Sequence, residues 1–172
     1  MKIQNLTELL ADELKKMYSS EEQQFKALSD IAAKANARSL KSMIHAYAAI
    51  KEINLSRLKT SLKLLNETER THSCKVVSGL IADCNETIGN AAEEHVADAG
   101  LIATLQQINH FNIANYGTAS SYARTLKLED IAQLVHRALE DEKRADEHLT
   151  RLAEKVINPS AILEHEPEFL PN

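Results

Sequence analysis

The chain has 172 residues, 44% hydrophobic and 26% charged, which is the size of a single domain with enough apolar residues for a sizeable core. Its net charge of −5, 4% aromatic content and lack of Trp exclude the basic, base-stacking surface of a nucleic-acid binder. No run of about 18 apolar residues is present to span a membrane, so neither nucleic acid nor membrane is expected as a partner.

Before residue 159 there is no proline and there are only four glycines, a composition that favours long helices. The first predicted helix covers 6–35, with Asn5 and Glu8 as a capping box. Its apolar stripe is Ile3, Thr7, Leu10, Leu14, Met17, Glu21, Gln24, Leu28, Ile31 and Ala35, so Glu21 and Gln24 interrupt it at mid-helix. The second covers 39–66, with a seam of Ile44, Ala48, Lys51, Leu55, Leu58, Leu62 and Leu65 flanked by His45 and Glu52. A crossover at 67–92 contains a short helix over 75–87 and both cysteines, Cys74 and Cys84. Two cysteines are too few for a disulfide scaffold. The N-terminus also enters the amphipathic pattern directly, so a cytoplasmic protein is expected.

The third long helix is predicted over 93–126. Its seam is Leu101, Leu105, Ile108, Asn112, Asn115, Ala119, Tyr122 and Leu126, with Asn109 beside it. The fourth covers 129–157, with Ile131, Val135, Ala138, Glu142, Ala145, Leu149, Leu152 and Val156 on one stripe. Glu142 is the single charge on that stripe, and Asp146 borders it one turn later. A tail from residue 158 carries all three prolines with Glu164, Glu166 and Glu168, and is expected to be extended or partly disordered. In it Ile162, Leu163, Phe169 and Leu170 are candidates for docking on a neighbour.

Short links within each helix pair and one long link between the pairs predict an all-α, ferritin-like four-helix bundle over 1–157, followed by an acidic tail over 158–172. A lone carboxylate in such a core costs several kcal/mol, on the order of a buried charge, unless paired or metal-bound. Glu21 and Glu142 therefore read equally as metal ligands or as partners of Lys51, His110 or a tyrosine. An ammonium at Lys51 would replace the charge of a metal. None of His45, His110, His136 and His148 stands in an E-x-x-H pair, and Glu142 is followed by Lys143, Arg144 and Ala145.

In order along the chain stand Tyr18-Ser19-Ser20-Glu21-Glu22-Gln23, Asp98-Ala99-Gly100-Leu101-Ile102-Ala103, Ile108-Asn109-His110-Phe111-Asn112-Ile113-Ala114-Asn115-Tyr116-Gly117 and Leu139-Glu140-Asp141-Glu142-Lys143. With these stretches the chain resembles the YciE/YciF group of bacterial ferritin-like stress proteins over nearly all of 1–157. The resemblance implies a bundle with a dimetal, di-iron site, homodimerisation and an association with stress. Residue by residue, it implies carboxylate ligands at Glu21, Glu142 and Asp146. Ala49 stands where that group has a Glu, Glu52 where it has an imidazole, and Asn109 and Asn112 where it has acids. The candidate metal ligands are thus Glu21, Glu52, Glu142 and Asp146, for one or two iron ions or none. The expected function is a stress-associated structural or binding protein with a partial dimetal site. The alternative is an iron-binding protein or di-iron oxidase. No nucleophile elbow or phosphate loop supports a hydrolase.

Overall fold

The structure, a computed structural model, describes residues 2–69 and 74–162; Leu163, Phe169 and Leu170 of the tail lie outside the described residues. Four long helices, α1 (Leu6–Lys34), α2 (Arg38–Leu64), α4 (Glu94–Thr125) and α5 (Glu129–Leu152), form the bundle. A shorter helix, α3 (Lys75–Asn90), forms the crossover. In the bundle α1 packs on α2 and α4, and α5 packs on α2 and α4. The connections run up, down, back along α3, then down and up, so every neighbouring pair is antiparallel. This is the ferritin-like arrangement expected from the loop lengths.

The ends of these helices are closed by local chemistry. The Asn5 side chain accepts the Glu8 N–H at 2.9 Å, while the Glu8 carboxylate returns to the N–H of Gln4 at 2.9 Å. The box therefore closes one residue earlier than its usual form. Helices α2 and α4 end in left-handed residues, Asn66 and Lys127. The following N–H groups reach back to Leu62 and Ala123, as in a Schellman motif. The α1–α2 turn contains no Gly or Pro. Asp98, from α4, closes it instead: its two oxygens accept the N–H groups of Asn36 and Ala37, each at 2.8 Å. Those are orphan donors at the uncapped start of α2. Two positions on from Asp98, a Cβ at Gly100 would lie 2.6 Å from Thr87 Cγ2. Glycine is what lets α3 lie so close to α4.

The last predicted helix differs from expectation at its end. Ala153–Ile157 form a π turn, whose extra residue rotates the helix face. Ala153 and Ile157 are buried there in place of the expected Leu152 and Val156, and Val156 is 43% exposed. The chain then stays helical through Asn158–Ser160, with Pro159, which has no N–H to donate back into the π turn, in this last stretch. The start of the tail is therefore helical, not extended.

The apolar core has two parts. One, near the α1–α2 turn, gathers Leu28, Ile31, Leu40, Ile44, Leu101, Leu105 and Leu149. The other, near the opposite end, gathers Leu10, Leu14, Leu58, Leu62, Tyr116, Ile131 and Val135. Each large apolar side chain contributes roughly 1.5–3 kcal/mol by burial. Between the two parts lies a fully buried polar layer.

Candidate metal centre

Seven polar side chains from four helices make this layer: Glu21 and Gln24 from α1, Lys51 and Asn54 from α2, Asn109 and Asn112 from α4, and Glu142 from α5. The Lys51 ammonium sits at its middle. Nζ lies 2.6 Å from Glu142 Oε1 and 3.3 Å from Glu21 Oε2, and 4.3 Å from the centre of the Tyr47 ring, a cation–π distance. Burial pushes the Lys51 ammonium down, but Glu142 and then Glu21 outweigh it, and the net shift is upward. The lysine is held charged.

Glu142 is surrounded by donors. Its Oε1 accepts from Lys51 at 2.6 Å and from Asn54 Nδ2 at 3.1 Å. Its Oε2 accepts from the Tyr47 hydroxyl at 2.6 Å, Asn109 Nδ2 at 2.9 Å and Asn112 Nδ2 at 3.3 Å. The Tyr47 hydroxyl is raised well above its ordinary range by burial, against the pull of Lys51 and with Glu142 adding to the rise, so it serves as a proton donor. The side-chain amides of Asn112 and Gln24 exchange two hydrogen bonds, each donating its N–H to the other's oxygen at 2.9 Å.

Glu21 is less well served. The Tyr116 hydroxyl donates to its Oε1 at 2.9 Å, and Lys51 is 3.4 Å from the same atom. Its Oε2 accepts no hydrogen bond. Burial raises this carboxyl to about 7; Lys51 opposes the shift, and the negative charge of Glu142 adds to it. With Lys51 charged and Glu142 accepting from five side chains, a proton on Glu21 brings the cluster to neutrality. This is the arrangement that a dry interior favours.

Of the four sequence candidates, only Glu21 and Glu142 reach the centre. Glu52 is exposed on the outer face of α2, as is Ala49. Helical phase puts Tyr47, Lys51 and Asn54 inward in their place. Asp146 points out between α4 and α5, where it meets His110 Nε2 at 2.9 Å. It is one turn from Glu142 but on the rim. Among the described residues no three His, Cys, Asp or Glu side chains converge to hold a metal. The two oxygens of the layer that lack a hydrogen-bond donor are Glu21 Oε2 and Asn109 Oδ1. One of these is neutral, and an ammonium stands beside the other. Hard divalent cations need several converging oxygens with net negative charge, so the side chains as arranged do not fit a dimetal centre. A narrow cleft bounded by Met17, Ser20, Glu21, Asn112, Asn115 and Tyr116 lies beside Glu21 and has no room for a water molecule.

Asn54 of the layer, and Tyr47 and Tyr116, whose hydroxyls donate into it, lie outside the apolar stripes read from the sequence. On α2, Ile44, Tyr47, Lys51, Asn54 and Leu58 also step by three and four, and favouring Ala48 and Leu55 hid them. On α4 the buried path after Asn112 takes a step of four to Tyr116, not three to Asn115, and continues through Ala119 and Ala123.

Residues 5–162 match the family described as a domain of unknown function, DUF892, and the chain belongs to that family. It is 30% identical over 162 residues to the protein YciF of Escherichia coli strain K12, covering 94% of this chain and 98% of the relative. The crystal structure of the E. coli stress protein YciF superposes with a TM-score of 0.85, covering 91% of this chain and 99% of that one. YcfI from Rhodopseudomonas palustris gives 0.83 at 31% identity, covering 87% and 95%. A ferritin-like, diiron-carboxylate protein from Bacillus anthracis gives 0.69 at 17% identity over 88% and 99%. That last likeness shows the shared fold alone.

Proposed function

We propose that this DUF892 member is a stress-associated, cytoplasmic structural or binding protein in which a lysine ion cluster occupies the place of a dimetal centre. The observation that carries the reading is the fully buried Lys51, 2.6 Å from Glu142 and 3.3 Å from Glu21. Its single positive charge does locally what metal ions would do: it makes carboxylates tolerable between two apolar layers. The amides of Asn54, Asn109 and Asn112 support this because they point N–H groups at Glu142, spending the lone pairs that a metal would need. Stress association comes from the similarity to the E. coli stress protein.

Metal content after expression in iron-supplemented medium tests this reading against an iron-binding protein or oxidase. Mass spectrometry should find well under one iron per chain. About two equivalents, lost in a Glu21→Ala, Glu142→Ala variant, would hand the lead to the iron-binding reading. A homodimer is part of the proposal. Light scattering should give twice the chain mass of 19.2 kDa, and a monomer at high concentration would sink that part.

A further inference from the structure

At the end of the bundle near the α1–α2 turn, α2 and α5 diverge and leave a groove of about 500 Å³. Its apolar wall includes Met43, Leu152 and Val156, and its rim carries Arg151 and Lys155. No acidic side chain among the described residues lines it. Ser39 and Ser42 bring the start of α2 to the groove; the positive end of that helix already meets the Asp98 carboxylate, so the basic character of the rim comes from Arg151 and Lys155. The π turn contributes directly, because it rotates Val156 outward while burying Ile157.

The chain itself contains a segment of matching chemistry. Residues 163–170 read Leu-Glu-His-Glu-Pro-Glu-Phe-Leu, with three glutamates at alternate positions and an apolar Phe-Leu pair after them. We infer that this segment docks in the groove of its own molecule, with Phe169 and Leu170 on the wall of Met43, Leu152 and Val156 and with Glu164, Glu166 and Glu168 along the rim of Arg151 and Lys155. Eight residues span up to about 26 Å at 3.3 Å each, ample for a groove whose rim lies within a dozen residues upstream. Such a short tether gives a local concentration in the millimolar range. The tail of a second copy, at micromolar concentration, cannot match that.

Methyl-labelled methionine NMR on the full chain tests this, since the sequence has three methionines. Met43 lines the groove, and Met17, 4% exposed, reports on the core. A Phe169→Ala, Leu170→Ala variant should shift the Met43 methyl resonance and leave that of Met17 in place. Salt at about 1 M, where the screening length falls to ~3 Å, should move the parent resonance part of the way toward the variant position. A Met43 resonance identical in parent and variant overturns the proposal. A difference that appears only as protein concentration rises assigns the groove to the tail of a second copy, and overturns the intramolecular reading.

Discussion

Two sets of acids are buried in this bundle, and they are accommodated differently. Asp98, 1% exposed, sits at the end of the bundle and is satisfied by two backbone N–H groups at the start of α2. It needs no cation, because the chain had orphan donors to offer there. Glu21 and Glu142 sit at mid-height, where every backbone N–H is already committed within a helix. They can be satisfied only by side chains, and the chain provides Lys51, two tyrosines and three asparagines. Helix ends supply polarity without extra residues, whereas helix middles must import it, and the imported set is what makes this centre distinctive.

The comparison is sharpest at Lys51. A Lys51→Met variant keeps the volume but removes the cation, which leaves the buried Glu142 charge uncompensated beside Glu21. It should lose about 3–5 kcal/mol of stability, read by denaturant unfolding. Adding Glu21→Gln and Glu142→Gln should recover most of that loss. A Lys51→Met protein as stable as the parent would mean that the ammonium is not what balances the layer.

The next effect is a pH dependence. The folded state holds the Glu21 proton up to about pH 7, whereas an unperturbed carboxyl releases it near 4.5. The stability linked to this group is complete below pH 4.5 and is lost as pH rises to about 7. Glu21→Gln removes the dependence, so the variant should gain on the parent across that window by roughly 3 kcal/mol and then hold level. Denaturation at several pH values measures it, and a constant difference would argue against a neutral Glu21. The Asp98 site should give the smallest change. Asp98→Ala leaves the Asn36 and Ala37 N–H groups without their acceptor, which costs about 2 kcal/mol. Amide exchange should quicken in the first turn of α2 and leave the polar layer untouched.

The sequence alone determined the helices, their pairing and the long crossover, because period, length and punctuation are local and additive. It also placed Glu21, Gln24, Lys51, Asn112 and Glu142 on inward stripes, since a charge in an apolar seam stands out. It could not settle what those charges meet. Glu52 and Asp146 lie within a few residues of the centre in sequence, but helical phase turns one to solvent and the other to His110. Tyr47, Asn54 and Tyr116 were hidden because a seam of amphipathic or polar side chains looks no different from a flank until a facing helix fixes the rotation. Only the tertiary structure decided that four helices bring Lys51 between Glu21 and Glu142. Which charge neutralises a buried carboxylate depends on distances of a few ångströms between residues 30 to 91 positions apart, and local sequence patterns do not encode those distances.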